Sequence, residues 1–235
     1  MAKRLFGVST HLYRAQRLKR DHLREIAAHG FEVVELATAP GHVDCSNPAA
    51  IADVQQWLAE AGLQLAAMYA RVGAEGTENA EQALLVARRI PVKVFVVQLD
   101  GTREVTRRHV ERLAEAARPL GVTIAIDGAD LSRPGSLVHF VEEDTEADVA
   151  ICLDLGRAHR DGDLADAIET VAEHLVAVRL PLDSTIDWPS ALTTVQKVGY
   201  EGPLMFDLET RGSTKDMLAR ARTAREKMER WLTST

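Results

Sequence analysis

Four residues whose chemistry is hard to ignore close short apolar runs in the second half of the chain: Asp127, Asp154, Arg179 and Asp207. A carboxylate at such a position can exchange protons, accept hydroxyl hydrogen bonds or ligate a divalent cation. A guanidinium supplies a permanent positive charge and no lone pair. Along a strand, successive side chains face opposite sides. In Val122-Thr123-Ile124-Ala125-Ile126-Asp127 the two isoleucines suit a side covered by helices, so Thr123, Ala125 and Asp127 share the other. The same parity sends Asp154, Arg179 (with Ala177) and Asp207 inward from the next three runs. Four consecutive runs delivering charge to one place predict that Arg179 pairs with Asp127, Asp154 and Asp207. Opposed buried charges of this kind mark functional sites, although structural ion-pair networks have the same composition.

The elements that must position these residues recur with a regular period. Eight short runs rich in β-branched residues begin near Leu5, Phe31, Leu63, Lys93, Val122, Val149, Val176 and Pro203, and a helical pattern follows each. That is the outline of a single (β/α)8 barrel, and 235 residues leave roughly 29 per unit, enough for a strand, a helix and two loops but not for a second domain. One domain over residues 1–235 is expected. Helix signals agree: Asn47-Pro48 reads as a cap followed by proline at the first helical position, while Gly30, Gly62 and Gly121 read as stops. A barrel of this kind carries its chemistry at the carboxyl ends of its strands. The candidates are therefore Thr10/His11, Glu35, Tyr69/Arg71, Gln98/Asp100, Asp127, Asp154, Arg179 and Asp207/Glu209.

Composition narrows the partners. A formal charge of −7 and a pI near 5.6 disfavour a surface that tracks nucleic-acid phosphates. No apolar run approaches the roughly 20 residues of a membrane span. The apolar stretch after Lys3-Arg4 is too brief for a secretory signal, so a cytoplasmic protein is expected. Cys45 and Cys152 suggest plain thiols rather than a disulfide or a thiolate metal site. A small-molecule substrate is the expected partner, with no nucleic acid, no membrane and a possible homo-oligomer.

Among the remaining polar residues, Glu35 has inward parity and could meet a substrate hydroxyl, Arg71 or Arg179. Arg157 and His159 belong to the basic cluster Arg157-Ala158-His159-Arg160, read as a loop after the sixth strand that could hold a phosphate or carboxylate. Together with Asp154 and Glu209 they form the expected substrate-binding set. His11, His42 and His159 read as mouth-side loop residues where an imidazole could act near neutral pH, each alone more often a surface loop residue than a catalyst. No glycine-rich phosphate motif or serine elbow is present.

Several segments resemble the xylose isomerase-like barrels, the sugar phosphate isomerase/epimerase superfamily. They are Gly30-Phe31-Glu32-Val33-Val34-Glu35-Leu36, Gly121-Val122-Thr123-Ile124-Ala125-Ile126, Ile151-Cys152-Leu153-Asp154-Leu155-Gly156, Ile186-Asp187-Trp188-Pro189-Ser190-Ala191-Leu192 and Val198-Gly199-Tyr200-Glu201-Gly202-Pro203-Leu204. The resemblance implies a divalent metal held by a glutamate, an aspartate, a histidine and a glutamate on strands five to eight. Only Asp154 matches. Asp127 and Asp207 are one methylene short, Arg179 stands at the histidine, and Arg157 replaces a second family histidine. Hence no cofactor is expected, and a divalent metal is disfavoured because Arg179 would oppose its charge. What the resemblance implies is proton transfer next to the carbonyl of a small sugar or polyol derivative. Asp127 and Asp207 would serve as acid and base, with Arg179 supplying the fixed charge. The alternative is a non-catalytic small-molecule-binding barrel whose charges merely neutralise one another. An abasic-site endonuclease is disfavoured by the acidic charge and the missing histidines.

Overall fold

Eight parallel strands pair in chain order and close on themselves. In the computed structural model, which describes residues 4–73, 76–128, 133–208 and 212–233, they are β1 (Phe6–Ser9), β2 (Val33–Ala37), β3 (Gln64–Val72), β4 (Val94–Leu99), β5 (Thr123–Gly128), β6 (Val149–Asp154), β7 (Leu175–Leu180) and β8 (Leu204–Phe206). Around them run α1 (Arg20–Ala28), α2 (Pro48–Ala61), α3 (Glu78–Ala87), α4 (Arg103–Ala117), α5 (Pro134–His139), α6 (Leu155–Asp161), α7 (Leu164–Thr170), α8 (Trp188–Lys197) and α9 (Thr214–Thr233). The (β/α)8 barrel expected from the sequence is the fold. No described helix is long and apolar enough to cross a membrane.

Local signals explain the helix boundaries. Asn47 caps α2 by accepting from the Ala49 amide at 2.9 Å, Pro48 opens it, and Gly62 ends it at φ +67°. Ile51, Val54 and Leu58 repeat at helical spacing and are buried against the barrel. One helix was not expected. The polar Arg157-Ala158-His159-Arg160 segment, read as a loop, forms most of α6, because Asp154 ends β6 and caps α6 by accepting from the Arg157 amide at 2.8 Å.

Strand parity divides the core in two. The outward residues, among them Phe95, Ile124, Ile126 and Phe206, pack with the helices in one large cluster. The inward cluster is Ala37, Ala67, Tyr69, Val96, Ala125, Cys152 and Ala177. Apart from Tyr69 these side chains are small, which leaves room at the carboxyl end for long side chains to cross the barrel. Gly7 on β1 belongs to the same economy of space: a Cβ there would lie 2.6 Å from the Val33 carbonyl oxygen and 2.6 Å from Met205 Cε. The methionine can move, but the β2 backbone cannot. Gly7→Ala is therefore expected to destabilise the barrel by about 1–3 kcal/mol, read as a lowered urea midpoint; an unchanged midpoint would show that β1 and β2 can separate freely.

Candidate active site

The barrel mouth is organised around one guanidinium. Arg179 leaves β7 on its inward face and is only 3% exposed. Its Nη2 donates to Glu35 Oε1 on β2 at 2.5 Å, and Nη1 donates to Asp207 Oδ2 at 3.2 Å and Asp127 Oδ2 at 3.4 Å. The Tyr69 ring lies 4.1 Å from its Cζ, a cation–π contact in a dry setting, and the Tyr69 hydroxyl donates to Gln98 Oε1 at 2.5 Å. Burial works against the charge of Arg179, but Glu35, Asp207 and Asp127 outweigh it and raise its affinity for the proton well above the ordinary arginine range.

Asp127 is shared by two cations. Arg157, projecting back from the first turn of α6, donates to Asp127 Oδ1 and, at 3.2 Å, to the Gly128 carbonyl. Its Nη2 is also 3.7 Å from Asp154 Oδ2. Nearly complete burial pushes the Asp127 carboxyl above its ordinary range, against the pull of Arg179 and Arg157. Asp207, just beyond β8, is shifted the other way. Its burial favours the neutral acid, yet the His11 bond and the charges of Arg179 and Arg14 hold it below the usual aspartate range. His11 Nδ1 lies 3.4 Å from Asp207 Oδ1, while Arg14 Nη1 lies 3.0 Å from His11 Nε2. Arginine has only hydrogens to offer, so Nε2 is the acceptor and the neutral ring carries its proton on Nδ1, donating to Asp207.

A cavity of about 420 Å³ opens above this layer. Asp154 and Asp207 line it, with Arg160, the 181–184 segment, Leu208, Met217 and Arg220. A larger and more apolar groove of about 660 Å³ lies between α8 and α9, and none of the mouth carboxylates lines it.

The structure thus brings Asp127, Arg179 and Asp207 together as parity predicts, and adds Glu35 as the strongest partner of Arg179. Asp154 pairs with Arg157 rather than with Arg179. Glu35, 1% exposed, spends its carboxylate on Arg179 and not on a substrate hydroxyl. Arg71 pairs with Asp100 on the rim at 2.5 Å. Arg157 and His159 sit on α6, not in a loop; Arg157 turns down to Asp127, and His159 Nε2 meets Thr185 Oγ1 at 3.3 Å. Glu209 lies outside the described residues. His11, a strand-end candidate weighed as more often a surface loop residue than a catalyst, touches the site directly. Its signal was only its place one residue after Thr10 at the end of β1, where a single 3-10 turn swings it over the mouth.

The sequence model of the xylose isomerase-like TIM barrel family matches residues 23–235. The chain belongs to this family. Solved structures share its fold at low identity. A xylose isomerase domain protein from Planctomyces limnophilus superimposes with a TM-score of 0.80 at 15% identity, covering 96% of both chains. A xylose isomerase-like TIM barrel protein from Mycobacterium smegmatis in complex with magnesium gives 0.77 at 17% identity, covering 99% of this chain and 97% of the other. The 3-keto-D-glucoside 4-epimerase from E. coli gives 0.76 at 15% identity, covering 96% and 99%. A search among curated proteins finds no significant match.

For this member of the xylose isomerase-like family, the donor set in the mouth does not fit a divalent cation. The Arg179 guanidinium stands between the Asp127 and Asp207 carboxylates, within 3.4 Å of each, and has no lone pair to give. Among the described residues the trio of metal-ligand type that comes close enough is Glu142, Glu173 and His174. Those residues flank the amino end of β7, at the other end of the barrel.

Two outcomes follow. Arg179→Ala leaves Glu35 and Asp127 as buried, unpaired carboxylates and should cost about 3–5 kcal/mol in urea unfolding. Adding Glu35→Gln should recover at least about 1 kcal/mol of it. A loss below about 1 kcal/mol for the single variant would contradict the buried clamp. Arg179→His restores a ligand atom among the carboxylates, and calorimetry should find Mn²⁺ affinity that the parent lacks, weakening as acid protonates the imidazole. Equal binding by the two proteins would mean that Arg179 does not keep the cation out.

Proposed function

We propose that the barrel is a sugar isomerase or epimerase that moves a proton next to a carbonyl without a metal, Asp207 being the proton-carrying group. The observation that carries this reading is the double placement of Asp207. It lines the cavity and is about one quarter exposed, yet it bonds to Arg179 below and His11 beside it. A carboxylate held ionised at the surface of a pocket can take a proton from the carbon beside a substrate carbonyl, leaving an enediolate and a neutral Asp207. Returning the proton to the former carbonyl carbon, while the hydroxyl proton passes between the two enediolate oxygens, isomerises the sugar. If Asp154, the other acid lining the cavity, is neutral and delivers its own proton to the opposite face, the centre inverts, leaving Asp154 ionised and Asp207 neutral.

Arg179 and Asp127 take different parts from those expected of them. Both are buried beneath the cavity floor, so they are positioning residues. Arg179 keeps Asp207 ionised and places a fixed positive charge under the developing enediolate, where low dielectric makes it count. Asp127 holds Arg157 and Arg179 apart at hydrogen-bonding distance. Structural neighbours such as the 3-keto-D-glucoside 4-epimerase from E. coli and the D-psicose 3-epimerase from Clostridium cellulolyticum support the same reaction class.

A second reading has its own observation. Glu35, Asp127 and Arg179 are almost wholly buried and Arg179 pairs with both acids, its Nε alone lacking a partner among the described residues, which is also how a binding barrel without catalysis would neutralise its core. Solvent exchange separates the two. In D2O, ketoses and ketose phosphates should acquire deuterium beside the carbonyl, seen by NMR, and Asp207→Asn should slow this by about 10²-fold or more. Because the Asp207 pKa lies below the ordinary 3.8, the exchange rate should stay level as pH falls to that value and drop only below it. Bound ligand with no exchange in any of these sugars would favour the binding barrel.

A further inference from the structure

One wholly buried imidazole has no part in the chemistry described so far. His42, on the segment between β2 and α2, is 0% exposed and packs against the loop of residues 10–18, which brings His11 and Arg14 to Asp207. It fastens that loop at both ends. At the start, His42 Nε2 lies 3.2 Å from Thr10 Oγ1, one residue before His11. At the finish, Nδ1 lies 2.8 Å from the Gln16 carbonyl oxygen, and the His42 carbonyl accepts from the Leu18 amide at 2.9 Å. Between these points Arg14, Ala15, Gln16 and Arg17 are exposed. Thr10 is itself 0% exposed, and its Oγ1 accepts from the Ala37 amide at the end of β2 at 2.9 Å.

Donors and acceptors leave these bonds one direction. A carbonyl oxygen only accepts, so Nδ1 carries the proton given to Gln16. Burial disfavours the charged ring and holds His42 below the ordinary imidazole range, so Nε2 keeps its lone pair. The Thr10 hydroxyl therefore donates to Nε2 while its oxygen accepts from Ala37. Removing any member leaves a buried polar group unpaired. Other contacts anchor the far end of the 3-10 turn: the Tyr13 hydroxyl donates to Glu25 Oε2 at 2.6 Å, and the Tyr13 ring stacks on His22 at 4.2 Å. The end from which His11 departs is set by Thr10 and by Ser9, whose Oγ accepts from the His11 amide at 3.3 Å.

We infer that His42 is a positioning residue for the proton-transfer site: through Thr10 and the 16–18 backbone it sets the turn that holds His11 on Asp207. What His11 and Asp207 do rests on the proton-transfer reading above, whereas the link from His42 to His11 is structural and is read separately.

Imidazole ¹⁵N NMR tests it, because the two tautomers of a neutral ring give different signals. At about pH 8, above the ordinary imidazole range, both His42 and His11 should carry the proton on Nδ1. Thr10→Val removes the hydroxyl, and His42→Asn keeps a donor for Gln16 while losing the acceptor for Thr10. Both should release His11 into a mixture of tautomers. Thr10→Ser should restore the parent signal, and Val110→Ala, which weakens the buried face of α4, should leave it unmoved. Deuterium exchange into the ketoses should slow about tenfold or more in Thr10→Val and His42→Asn, and not in Val110→Ala. A His11 signal that persists in both variants, that is lost equally in Val110→Ala, or that changes with exchange unaltered overturns the inference, as does a parent His42 protonated on Nε2. Should His42→Asn fail to fold, the Thr10→Val and Thr10→Ser pair decides. No exchange in the parent would sink the proton-transfer reading, and the NMR signals would still decide the link from His42 to His11.

Discussion

Everything at the mouth of this barrel depends on one buried charge reaching across it. A guanidinium withdrawn from water costs several kcal/mol unless acceptors surround it. Arg179 finds Glu35 on β2, Asp127 on β5 and Asp207 after β8. Those partners come from around most of the circumference, so the ion cluster fixes the strands' spacing at the carboxyl end. It also dictates the filling of the layer beneath. Alanines, valines and a cysteine line the interior where a barrel might carry leucines, Gly7 lets Met205 lie against β1, and one aromatic ring, Tyr69, covers the guanidinium face.

The same cluster sorts four carboxylates by depth. Glu35 and Asp127 are consumed in neutralising the cation, whereas Asp154 and Asp207 keep an oxygen toward the cavity. Environment then pushes the two inward carboxylates of β5 and β8 apart, Asp127 upward by burial and Asp207 downward through His11 and the neighbouring cations. Separation of titratable groups by their surroundings is how one site acquires distinct proton-handling roles at a single pH. Here the more exposed member is the one whose ionised form is favoured. His11 and Arg14 complete the arrangement from the opposite side, giving Asp207 a donor and a positive field that do not depend on the barrel interior.

Much of this was legible in the residues. Period-two alternation with β-branched residues on the outside places Asp127, Asp154, Arg179 and Asp207 inward, because a shift by one residue would have buried charge under helices. What alternation cannot show is depth. Asp127 lies within β5 and is covered by Arg157, while Asp207 lies one residue past a three-residue strand and meets the cavity. Partner choice was only partly visible: Arg179 was one of three alternatives for Glu35, and the two meet because a long side chain over a small-residue layer can span the barrel. Asp154 read as a site residue, and that concealed its second role as the cap that starts α6, which in turn lifts Arg157 over Asp127 and carries Arg160 to the cavity. His11 stood among the strand-end candidates but outside the expected site, because the direction of a side chain after a four-residue strand depends on one tight turn that apolar periodicity does not register.

The central claim, that a guanidinium stands where a cation would otherwise sit, is tested most directly by anomalous diffraction. Crystals grown in millimolar MnCl₂ and measured at the manganese edge should show no anomalous peak among Asp127, Asp154 and Asp207, with Arg179 still joined to Glu35. A strong peak coordinated by those aspartates, with the Arg179 side chain turned away from Glu35, would contradict it.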